Sequence, residues 1–148
     1  MMKKLVVAAV LAAATLPFSA DAAPKACYSP TAIEAEQAIR FITDVMVVST
    51  VCEATIYGNF RLRNKEAIIA YQKAMIAHFH GARAFDTWNT ALANEASRKH
   101  AGMSNVQVCQ QSAELMKTAA ALDQKNFRAF IAARAATATP QYAACGRK

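Results

Sequence analysis

The sequence predicts an all-α fold, a small bundle of four to five helices around a central apolar first helix, stapled by two disulfides. Three observations lead there. The stretch Phe41–Cys52, FITDVMVVSTVC, is apolar on nearly every side, with one carboxylate, Asp44, among its residues. A helix apolar all round is a buried one, so other elements must cover it. Along the rest of the chain, alanine-rich segments carry Glu, Gln, Lys, Arg, Leu and Met, with only four glycines and four prolines to interrupt them; such composition and its apolar periodicity favour helix. Finally, four cysteines stand behind an export signal, and an even count in that context implies oxidation into two bridges.

The export signal is the N-terminal MMKKLVVAAVLAAATLPFSADAA. Lys3 and Lys4 precede an apolar run from Leu5 to Leu16, and Ala20, Asp21 and Ala22 supply a small-residue end, the pattern of a secretory signal peptide. Residues 1–22 are expected to be removed and residues 23–148 to form a single helical domain. Cleavage is placed after Ala22 because a cut one residue later would leave Pro24 at the new terminus. Pro24 and Lys25 also argue against lipidation of Cys27. The apolar run is shorter than the roughly 20 residues that cross a membrane, so the mature chain is expected to be periplasmic or secreted and not membrane-spanning. Losing Lys3, Lys4 and Asp21 lowers the formal net charge from +7 to +6.

In chain order, Ser29-Pro30-Thr31 supplies a capping hydroxyl and a first-turn proline, with Glu34 and Glu36 placed to complement the positive end of a helix running to Cys52. The β-branched run Ile42–Val51 also fits a strand, but it continues AIEAEQAIR without a turn signal, which favours helix. Tyr57-Gly58-Asn59 reads as a break, making Tyr57–Lys65 a connecting loop with room for a short extended segment. A second helix starts near Asn64 and ends or bends at Gly81; a third runs from Ala82 towards His100; Ser104 caps a fourth; Phe127, Phe130, Ile131 and Ala135 mark a last one that Pro140 terminates.

Geometry narrows the cysteine pairing. A straight helix from Thr31 to Cys52 holds its ends roughly 33 Å apart, while bridged Cα atoms lie within about 7 Å, so Cys27 and Cys52 should not pair. Antiparallel packing with short loops favours Cys52–Cys109 and Cys27–Cys145. Cys27–Cys109 with Cys52–Cys145 is the rival if the second and third helices form one rod.

Candidate chemistry is sparse. Tyr57, Phe60, Arg61, Arg63 and Lys65 gather cations and aromatics within nine residues, a grouping suited to an anionic partner or to a solvated connector. Asp86, Thr90, Asn94 and Ser97 recur as a polar helical stripe, with Trp88, the only tryptophan, as the anchor if that face binds protein. His78, His80 and His100 are the candidate metal ligands, but residues two apart on a helix diverge by about 200°, so His78 and His80 converge only if the helix has unwound. Asp44 needs a basic or hydroxyl partner from another helix, or a notch opening between helices.

The expected function follows from these surfaces. No catalytic motif or C-x-x-C dithiol is present, so no catalytic residue and no cofactor is expected. The reading is an exported small helical protein that binds another protein or an anionic envelope component, as an inhibitor, immunity protein, adaptor or chaperone does. Nucleic acid is not an expected partner after export. The alternative is a periplasmic metal-binding protein using His78 and His80.

Overall fold

A computed structural model describes residues 27–143 and Cys145; the expected signal peptide and its cleavage point lie outside the described residues. Seven α-helices follow one another: α1 (Pro30–Val51), α2 (Ala54–Arg63), α3 (Lys65–His78), α4 (Ala82–Arg98), α5 (Asn105–Gln111), α6 (Ala113–Ala121) and α7 (Gln124–Ala138). A 3₁₀ turn, Thr139–Gln141, holds Pro140 just past the end of α7. The all-helical expectation stands, and the count of four to five is corrected to seven among the described residues.

One misread glycine and one short interruption, at Ser112, account for the difference. Tyr57-Gly58-Asn59 is not a break but the middle of α2, because Gly58 adopts ordinary helical backbone. The Tyr57–Lys65 loop, and the extended segment expected within it, are therefore a helix and a helix junction. Asn64 separates α2 from α3, and Ser112 separates α5 from α6. Both residues are buried.

α1 is the central rod. Ser29 Oγ accepts the Ala32 N–H at 3.1 Å and Pro30 occupies the first turn, so the helix starts as its sequence dictates. It contacts every other α-helix of the described chain. The two acidic residues expected to complement its start do other work. Glu34 accepts the Tyr71 hydroxyl at 2.9 Å, and Glu36 is 3% exposed and ion-paired to Arg40 Nε at 2.8 Å. Asp44 sits in a half-buried notch with Lys99 Nζ, from the end of α4, at 3.4 Å, so the expected basic partner from another helix is present.

Around α1 the core is aromatic. Phe41, Phe60 and Phe127 are fully buried, with centroids at 5.8 Å (Phe41–Phe60) and 5.0 Å (Phe60–Phe127). The steep interplanar angles, 68° and 86°, set the positive edge of one ring on the negative face of the next. α3 closes with Gly81 N–H donating to the Ile76 carbonyl, a Schellman turn whose left-handed position is His80 (φ 56°) and not the glycine. Ser104 and Gln107 form a reciprocal capping box on α5, and Asp123 caps α7 through the Asn126 N–H.

Both preferred cysteine pairs are formed. Cys52–Cys109 ties the end of α1 to α5, and Cys27–Cys145 joins the two ends of the described chain. Beside the second bridge, the Tyr28 N–H donates to the Ala143 carbonyl at 3.0 Å.

Candidate functional site

The helical state of residues 54–63 changes what the basic stretch can present. On a helix, Tyr57, Gly58, Arg61, Leu62 and Lys65 fall at i, i+1, i+4, i+5 and i+8, which is one face. Lys65, Ile68, Ile69 and Gln72 continue it along α3 at i, i+3, i+4 and i+7. These two faces and Ile42 of α1 enclose a groove of about 670 Å³.

Its character is amphipathic. Ile68 is buried in the floor, while Leu62 is 77% and Ile69 39% exposed. The Arg61 guanidinium lies 5.5 Å from the Tyr57 ring centroid, which steadies it by a cation–π contact. Among the described residues neither Arg61 nor Lys65 is paired with a carboxylate, so both positive charges are available at the rim. Gly58 lies in the α2 wall, and a Cβ built there would meet nothing within 4 Å. A glycine in a helix interior is worth about 1 kcal/mol less than alanine. No neighbour in the described fold needs the space that the missing Cβ leaves.

Two members of the sequence grouping are drawn elsewhere. Phe60 is 0% exposed in the aromatic core. Arg63 points to the end of α6, where its Nη2 donates to the carbonyls of Ala119 at 3.1 Å and Ala120 at 2.9 Å and its Nε to Leu122 at 3.4 Å. These are carbonyls that the end of a helix leaves without intrahelical partners. Asn64 reinforces the joint, donating from Nδ2 to the carbonyls of Phe60 and Leu122. Arg63 is thus a capping residue, and replacing it should cost stability as well as charge.

The α4 candidates separate as well. Asp86, Thr90, Asn94 and Ser97 are exposed, the wet side of the helix. Trp88 is half-buried against Phe79 (5.3 Å) and Phe85 (6.0 Å), two residues and therefore about 200° round from Asp86. The stripe and the tryptophan do not form one surface.

A polar cluster that the sequence did not announce lies beneath the Cys27–Cys145 bridge. Glu36 and Arg40 form its ion pair, Arg40 Nη1 reaches Glu95 at 3.9 Å, and the Gln37 side chain donates to the Tyr142 hydroxyl at 2.9 Å. The Tyr28 ring lies 4.2 Å from His78 and 4.8 Å from Tyr142. Burial, then the Glu36 charge, raises the Tyr28 and Tyr142 phenols above the usual tyrosine range. Burial and the Glu34 hydrogen bond do the same at Tyr71. Desolvation lowers His78 even though the Glu36 carboxylate pulls the other way. Only knowledge that Glu36 is buried would have found this cluster, and a glutamate in the second turn of a helix reads first as a solvated charge.

The direction of these shifts fixes how stability responds to pH. The three phenols have folded pKa values raised above the unfolded value, so their contribution is complete below about pH 10 and is lost as pH rises beyond it. His78 is depressed, so its contribution is present above about pH 6.5 and falls as pH drops through its folded value. Urea titrations across this range should show a plateau with a fall at both ends. Tyr28→Phe with Tyr142→Phe should flatten the alkaline fall, and an unchanged fall in that variant would refute the assignment.

Among the described residues no three His, Cys, Asp or Glu side chains come together as a metal site. His80 is exposed, His78 is packed between Tyr28 and Phe79, and His100 follows α4, about 25 Å of helix away. No protein-family model matches this chain, and no curated protein and no solved structure is significantly similar to it.

Proposed function

We propose that this chain is an exported binding protein, periplasmic or secreted, whose α2–α3 groove takes a partner that is anionic and partly apolar: another protein or an anionic envelope component. The observation that carries the reading is the juxtaposition of unpaired Arg61 and Lys65 with exposed Leu62 and Ile69 around one concavity. Two disulfides support an oxidising compartment. No described helix is long and apolar enough to cross a membrane, which fits action away from the bilayer interior.

The test separates the free cations from the capping one. Arg61→Ala with Lys65→Ala removes the rim charges and leaves the α6 cap intact. Binding of the oxidised protein to an acidic leucine-rich peptide and to phosphatidylglycerol vesicles is measured as salt rises from about 0.1 M to about 1 M, over which the screening length falls from about 10 Å to about 3 Å. Whichever probe binds wild type should bind the double variant roughly tenfold more weakly and with a shallower salt dependence. Equal affinity and equal salt dependence in the two proteins would remove the groove from consideration.

A further inference from the structure

Gly58 is the residue in the groove that the fold does not need. It stands in the middle of α2 with helical backbone, where alanine would hold the helix better, and the space its missing Cβ would fill is open. Glycine has a use at such a place when another backbone must come close. We infer that the groove is occupied by an acidic amphipathic helix of a different protein, crossing α2 at Gly58. The inference rests on the binding reading of this groove and adds what fills it.

Shape and charge select that occupant. Leu62 and Ile69 are the exposed apolar side chains of the groove lining, and an occupant that excludes water has to cover both while filling the floor at Ile68. A flat bilayer surface cannot enter the concavity to reach Ile68. A helix can do both, because its own ridge of apolar side chains fits between two neighbouring helices and its flanks reach the rim. Ordinary helix pairs sit 8–10 Å apart, a spacing set by the side chains between them. A glycine at the crossing lets the incoming backbone move nearer and bury Leu62 on one side and Ile69 on the other. The incoming polar flank must be acidic, since Arg61 and Lys65 otherwise lose water without gaining a partner. A second copy of this chain fits poorly: a two-fold contact sets the same patch against itself, so Arg61 and Lys65 would face their own counterparts.

A displayed library of amphipathic helices, each with a leucine or isoleucine face and a polar flank that is acidic, neutral or basic, tests this on the oxidised protein. Acidic helices with a small residue on the apolar face should be enriched. Gly58→Ala should raise the melting temperature by roughly 3 °C while weakening the enriched helices about tenfold, and Gly58→Leu should weaken them by more than about a hundredfold. Opposite signs on stability and binding distinguish an approach site from a folding position. Enrichment of neutral or basic helices overturns the inference, as does anionic-vesicle binding that Gly58→Leu abolishes while no acidic helix is enriched. Helices that bind Gly58→Leu like wild type but lose affinity on Arg61→Ala with Lys65→Ala overturn the crossing at Gly58 and leave the binding groove standing. Helices indifferent to all of these substitutions overturn both.

Discussion

Phe127→Ala is expected to lower stability by about 4 kcal/mol and the melting temperature by roughly 15 °C. The ring is 0% exposed and meets Phe41 of α1 at 6.1 Å, Phe60 of α2 at 5.0 Å and Tyr71 of α3 at 5.9 Å. Truncation therefore removes transfer energy, two edge contacts and one tilted ring contact at once, and leaves a cavity whose walls belong to four helices. Those walls are held by separate capping arrangements at Asn64, Ser29 and Asp123, which limits how far they can collapse. Urea unfolding with an unchanged slope is the measurement. A loss below about 1 kcal/mol would mean that the space is readily refilled and that the aromatic cluster is not the organising contact of the core.

The second large effect is expected from Cys52→Ala with Cys109→Ala. The bridge spans 57 residues, for which the chain-entropy model gives roughly 4 kcal/mol of stabilisation. The loss should also be uneven. α5 and α6 contain seven and nine residues, too short to be stable alone, and the bridge is their covalent tie to α1. Hydrogen exchange in the double variant should quicken first in α5 and α6 while the interior of α1, α3 and α7 keeps its protection. Uniform acceleration across all helices would show instead that the bundle opens as one unit.

The parts of this fold legible in the sequence are those governed by pattern and length. An all-round apolar stretch made α1 the central rod, and the length of that rod excluded a Cys27–Cys52 bridge before any packing was known. Capping residues placed Ser29 and Ser104 correctly because a cap is a local hydrogen bond. Asn64 was read as a helix start, where α3 does begin, but the turn at Ser112 was hidden for the opposite reason: its burial comes with the folded core and not with a local pattern. Gly58 misled because glycine usually ends helices through positive φ, and here it does not. The groove was half legible. Arg61, Arg63 and Lys65 were recognised as cations beside Tyr57 and Phe60, but the apolar companions Ile68, Ile69 and Ile42 lie on α3 and α1, and only the pitch of α2 turns Arg63 and Phe60 away. Glu36 was placed on the correct helix as a complement to its positive end, and is instead buried and paired with Arg40.

The bridge between Cys27 and Cys145 also decides how the domain responds to force. A pull applied through the chain on either side passes from Cys27 Sγ to Cys145 Sγ and bypasses the helices. The 118 residues of sequence separation between them, about 400 Å of contour when extended, cannot be paid out until that bond is reduced. A machine that unfolds proteins by drawing on a terminus would find a knot of fixed size, and so would a translocation pore.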